Sequence, residues 1–184
     1  MDFIFIYGSD GYKEDILPKA VSAHYDSPII LGRMMIEEKN EEGKALTHDE
    51  EAFSWKNMNA ILRTAYKNEM QNAVVAGFDD PRAEEIPLLF KGFHFLILKT
   101  VCSDERVMAD RMEEMPEGEK TMQIRRNRAN LNRPELVNEI RLDTAGLSET
   151  EVLKKALELI EGTESLTEYG LEGPGRETFV TRTL

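Results

Sequence analysis

The strongest constraint on the fold is a series of short apolar runs separated by amphipathic stretches. Phe3-Ile4-Phe5-Ile6-Tyr7, Pro28-Ile29-Ile30-Leu31, Ala73-Val74-Val75-Ala76-Gly77-Phe78 and the stretch from Phe93 to Val101 are continuous and short. Runs of this kind, bounded by turn residues, are the pattern of strands covered on both faces in a parallel sheet. Glu139-Ile140-Arg141-Leu142-Asp143-Thr144 is half-alternating and reads as a fifth and last strand.

The segments between them carry helical periodicity and start signals. A helix is expected from about Asp15 to Tyr25, capped by Asp15, with Pro18 in the first turn, where its missing N–H costs nothing. Thr47-x-x-Glu50 is a capping-box pattern that opens a long helix to about Asn68. Its stripe of Trp55, Met58, Leu62 and Ala65 belongs to the core. Asp80 and Pro81 are expected as cap and first residue of the next helix. Ser103 is expected to cap a helix carrying Val107, Met108, Met112 and Met115. Ser148-x-x-Glu151 is a second capping box, leading a helix with Val152, Leu153, Ala156, Leu157 and Ile160. Alternating strands and helices imply right-handed crossovers and an α/β fold, a three-layer α/β/α domain around a five-stranded parallel sheet.

A chain of 184 residues fits one domain, expected over residues 1–161, with 162–184 as a loosely held tail. Residues 37–51 are acidic and read as an exposed excursion. No run approaches the roughly 18 apolar residues of a membrane span, and Met1 to Tyr7 is too short for a signal peptide. A single cysteine, Cys102, excludes an internal disulfide and points to the cytoplasm; it ends an apolar run and reads as a packed thiol. The net charge of −12 argues against broad binding to nucleic acid or anionic membrane. That average conceals an island from Lys120 to Arg133 with five cations (Lys120, Arg125, Arg126, Arg128 and Arg133) and no acid. Such an island on an acidic chain suits a small anion, against the plainer reading of a solvated helix face.

Ligands of parallel sheets bind at the carboxyl ends of the strands. That rule gathers the loop after Tyr7, the Gly32-Arg33 corner, Phe78-Asp79-Asp80 and the residues after Val101. The first of these, Gly8-Ser9-Asp10-Gly11-Tyr12-Lys13-Glu14, is a glycine-rich turn that aims backbone N–H groups and a helix start at one point, which suits a phosphate. Lys13 would supply charge to the phosphates. The spacing G-x-x-x-x-G-K-[ST] is not met, since the loop is a residue short, Tyr12 intrudes and Glu14 replaces the hydroxyl residue. An ordinary strand-to-helix turn accounts for the same residues. His24, His48 and His94 lack zinc-ligand spacing, no G-x-S-x-G elbow exists, and Gly8-x-x-Gly11 is not a dinucleotide fingerprint.

Taken in order, these segments resemble the P-loop kinases of nucleosides, nucleoside monophosphates and related small molecules. The resemblance runs from about Met1 to Glu161. It is carried by the first strand and its glycine loop, by Asn72 to Asp80, by Ser103-Asp104-Glu105-Arg106-Val107-Met108-Ala109-Asp110-Arg111, and by Ile140 to Ser148. It implies ATP-dependent phosphoryl transfer to a small acceptor, with ATP and Mg²⁺ as cofactors. It further implies a phosphate cradle from Gly8, Ser9, Asp10, Gly11, Tyr12 and Lys13, and an arginine-bearing lid at about 116–134. Arg111, Arg125, Arg126 and Arg128 would then stabilise charge during transfer, Asp79 would stand near the metal, and Arg33 would hold the acceptor. The acids after the third strand arrive only at Asp79 and Asp80, a second departure from the family pattern. A working kinase and a non-catalytic relative that senses a phosphate ligand or binds a protein are both compatible with these residues.

Overall fold

The computed structural model describes residues 1–13, 15–31, 48–78 and 80–163. The Gly32-Arg33 corner, Thr47, Asp79, Glu14, most of the acidic excursion and the tail beyond Thr163 lie outside the described residues. The apolar runs form β1 (Phe3–Gly8), β2 (Ile29–Leu31), β3 (Ala73–Ala76), β4 (Phe95–Val101) and β5 (Glu139–Asp143). Every pairing is parallel, in the order β2-β3-β1-β4-β5. Between and after the strands lie α1 (Ile16–His24), α2 (His48–Lys67), α3 (Asp80–Leu89), α4 (Glu105–Arg111), α5 (Glu117–Asn132) and α6 (Glu149–Thr163).

Strand alternation splits the core into two layers. Phe3, Phe5, Ala73, Val75, Phe95 and Ile97 face α2 and α3, against the stripe of Trp55, Met58, Leu62 and Ala65 and against Ile86 and Phe90. Aromatic rings dominate this layer, with Phe5 and Phe90 centred 4.9 Å apart. Ile4, Ile6, Val74, Leu96, Leu98 and Leu142 face α1 and α6, against Val21, Val152, Ala156 and Ile160. Met108 and Met112 pack with the buried Cys102 in a third cluster. Among the described residues no helix is long and apolar enough to cross a membrane.

Several helix starts differ from expectation. Asp15 makes no side-chain cap and instead pairs with Lys19, one turn on, at 2.5 Å. Asp104, and not Ser103, caps α4, accepting from the N–H groups of Arg106 and Val107. Asp80 is already helical, and its carboxylate accepts from Arg126 Nε at 2.5 Å. The box at Ser148 holds, with the Ser148 N–H 2.8 Å from Glu151 Oε2. The segment expected as a lid is one continuous helix, α5, docked on the sheet.

That docking is polar. Asn127 spans the Cys102 backbone, accepting from its N–H at 3.0 Å and donating to its carbonyl at 2.7 Å. Beneath the helix, register pairs Tyr7 with Lys99 and Lys99 with Arg141 on one sheet face. Lys99 has no exposed surface, and its ammonium donates a long hydrogen bond to the Asn130 carbonyl, at 3.4 Å. Arg133 pairs with the buried Glu139 at 2.6 Å and donates to the Tyr7 hydroxyl. Arg141 donates to the Leu131 and Arg133 carbonyls at the end of α5, where a cation complements the helix dipole.

Burial pushes the Lys99 ammonium down to about 8 from 10.5, against the opposing pull of Glu139. The unfolded chain therefore binds the proton more tightly, and stability rises as pH climbs from about 8 toward 10. Above that range Tyr7, whose burial raises its pKa, reverses the trend. In chemical denaturation, Lys99→Met should flatten this rise and leave the protein at least as stable at neutral pH. An unchanged pH slope would contradict the assignment.

Candidate functional site

The chain leaves β1 for one edge of the sheet and returns to β4 on the other side of β1. This reversal opens a crevice at the carboxyl ends of β1, β3 and β4, the place where such sheets bind ligands. A cavity of about 250 Å³ lies there. Ile6, Leu17, Ala20, Val152 and Leu153 form its apolar wall, and Asp10, Lys13, Thr100, Glu149 and Thr150 supply its polar groups.

The glycine turn is shaped by its neighbours. A Cβ on Gly8 would stand 1.9 Å from Thr100 Oγ1 and 2.6 Å from the Thr100 carbonyl, so the chain passes flush against β4 only as glycine. Gly11 has φ +86° and packs on Met108, a conformation glycine adopts without cost. Both glycines thus have a structural reason, whatever the loop binds. The Ser9 N–H donates to the Thr100 carbonyl at 3.3 Å, and the Ser9 hydroxyl accepts from Asn130 Nδ2 at 3.2 Å. Lys13 is exposed at the mouth of the cavity.

Arg111 stands behind this turn. Its Nη1 donates to the Asp10 carbonyl at 2.9 Å and to Thr144 Oγ1 at 2.8 Å. Its Nη2 donates to the Thr144 carbonyl at 2.6 Å and the Leu147 carbonyl at 3.4 Å. The guanidinium lies 3.8 Å from the centre of the Tyr12 ring, whose hydroxyl also donates to Leu147 O, at 2.5 Å. Tyr12 therefore packs on Arg111 while also lining the cavity. Asp10 is 5% exposed, and burial raises its pKa. The Thr144 hydroxyl, the Arg111 charge and the N–H groups of Asp10 and Tyr12 act in the opposite direction.

The other sequence candidates separate. Gly8, Asp10, Tyr12 and Lys13 line the cavity together, whereas Arg111 is spent on the two turns that it joins. Arg126 pairs with Asp80, and Arg128 pairs with Glu105 at 2.7 Å. Lys120 lies 3.8 Å from Glu117. The cationic island is thus largely balanced by acids elsewhere in the chain. Arg125 is exposed and makes no ion pair among the described residues. Arg33 and Asp79 lie outside the described residues. Sequence reasoning missed Thr144, Thr100 and Asn130, which hold the turn; the two threonines stand at the carboxyl ends of β4 and β5, whereas Asn130 in α5 left no signal in the sequence.

As a cradle, the turn offers a phosphate Lys13 and inward N–H groups, but Asp10 faces the same donors. It offers a magnesium ion nothing comparable: the described residues contain no group of three His, Cys, Asp or Glu able to hold a metal. Glu14, which replaces the hydroxyl residue of the sequence pattern, and Asp79 lie outside the described residues.

Arg111→Ala removes a charged donor set shared by two turns and should cost about 2–4 kcal/mol of stability. Amide exchange should quicken at residues 8–13 and 144–147, and Arg111→Lys should recover only part of the loss. Exchange unchanged at both turns would contradict the clamp.

No protein-family model matches the chain, and no curated protein matches its sequence. Solved structures do. A gluconokinase from Sinorhizobium meliloti 1021 superposes with a TM-score of 0.65 at 19% identity, covering 89% of this chain and 94% of that one. A sugar kinase from Janibacter sp. HTCC2649 gives a TM-score of 0.59 at 12% identity, covering 91% and 98%. At these identities the likeness establishes the fold alone: a parallel α/β domain shared with these two kinases over nearly the whole chain.

Proposed function

We propose that the chain transfers a phosphoryl group from a nucleoside triphosphate to a small hydroxylated acceptor, with the phosphates held at the Gly8–Lys13 turn. The observation that carries this reading is the cavity at the carboxyl ends of β1, β3 and β4, with Lys13 at its mouth. The whole-length likeness to a gluconokinase and a sugar kinase favours a sugar or sugar acid as acceptor over a nucleoside.

Each residue has a role in this reading. Lys13 attracts and neutralises phosphate oxygens, and the backbone N–H groups of the turn orient them. Arg111 holds the turn rigid against Thr144 and Leu147 and touches no reactant. Arg125 is exposed on α5 and, among the described residues, makes no ion pair. Arg126 and Arg128 would first have to leave Asp80 and Glu105. Arg33 is assigned to the acceptor and Asp79 to the metal side on position in the sequence alone.

The test is phosphorus NMR of ATP with the protein and a panel of sugars, sugar acids, nucleosides and nucleoside monophosphates. A new phosphomonoester signal should appear with one acceptor class. Lys13→Ala should lower turnover by roughly 100-fold without lowering the melting temperature. No acceptor-dependent consumption of ATP across the panel would refute catalysis; ATP binding without turnover would leave a phosphate-sensing domain.

A further inference from the structure

The turn that would receive a phosphate carries its own anion. Asp10 sits at the tip of the loop, almost fully buried, on the wall of the cavity and between the two glycines that shape the turn. Its carboxyl is set against the Thr144 hydroxyl and the N–H groups of Asp10 and Tyr12, with the Arg111 guanidinium on its own carbonyl. Those N–H groups and that cationic surround are what an anion entering the turn would use.

We propose that the Asp10 carboxylate is a built-in competitor: it occupies the anion position of the Gly8–Lys13 turn, and a phosphate must displace it to bind. This inference rests on reading the turn as the phosphate site. Two anions cannot share one set of donors, because like charges at short range in a partly buried site repel. One must leave or take up a proton. Burial already favours the neutral carboxyl of Asp10, so the proton route is open.

The charges facing Asp10 decide the balance. Arg111 from α4 donates to the Asp10 backbone carbonyl and favours the charged carboxylate by its charge alone, and the buried Cys102 thiol at the end of β4 feels the carboxylate's charge. Lys13 and Glu149 stand on the cavity wall with opposite signs. Lys13 is exposed, so it can greet a phosphate before Asp10 yields. Tyr12 packs on Arg111 and donates to the Leu147 carbonyl, which ties the turn to the loop after β5.

The experiment is calorimetric titration of inorganic tripolyphosphate into the wild-type chain, Asp10→Asn, Asp10→Ser and the Asp10→Asn/Lys13→Ala double variant. Melting curves establish that each is folded, and Asp10→Ser serves if the amide disturbs the turn. Removing the carboxylate should tighten binding at least about tenfold near neutral pH, equivalent to about 1.4 kcal/mol. The double variant should lose the gain. Wild-type affinity should rise as pH falls toward the carboxylate range more steeply than that of Asp10→Asn, which serves as control for the protonation of tripolyphosphate itself.

Equal affinity in the wild type and both Asp10 variants would overturn the competitor role and leave the phosphate site standing. No binding to any folded variant would overturn the phosphate site, and the competitor with it.

Discussion

The site depends on one guanidinium. Arg111 connects the turn after β1 to the turn after β5 by donating to the carbonyls of Asp10, Thr144 and Leu147 and to the Thr144 hydroxyl. A side chain from α4 thereby fixes the position of two loops more than thirty residues away in sequence on either side. Charge-assisted hydrogen bonds are the strong ones, and a planar fork can serve several acceptors at once. Tyr12 completes the assembly by stacking on the same group. The shape of the cavity, the burial of Asp10 and the exposure of Lys13 all follow from this fixed turn.

A different balance holds α5 in place. The two apolar layers between sheet and helices supply the driving force for folding, at roughly 25 cal/mol per Å² buried. The α5 interface adds little to it: its buried side chains are Asn127 and Asn130. Polar contacts of this kind contribute about 1 kcal/mol each when satisfied and cost more when broken. Lys99 is the extreme case, a fully buried ammonium with weak hydrogen bonding that gives up part of its basicity. We read this layer as setting the placement of α5 beside the cavity more than the overall stability.

The strands were legible because a strand covered on both faces must be apolar throughout, and Phe3–Tyr7 and Phe95–Leu98 meet that requirement in the sequence itself. The Ser148/Glu151 box was legible because both partners lie within one helical turn. Ser103 and Asp104 are adjacent residues with equal capping chemistry, and only the extended backbone of Asp104 separates them. The cationic island misled for a related reason. Its charge balance was counted locally, whereas Arg126 finds Asp80 and Arg128 finds Glu105 across the fold. The glycine turn was visible as a turn, but the contents of its cradle were not. Asp10 could be seen in the sequence; that its carboxyl turns inward against Thr144 could not.

The central claim is that the turn from Gly8 to Lys13 receives phosphate. The most direct measurement is an amide NMR titration of the labelled chain with ATP. If the claim holds, the largest shifts fall on the amides of residues 8–13, with smaller ones at Thr144 and Leu147 through the Arg111 clamp. Shifts confined to other surfaces, or no saturable shifts at all, would contradict it.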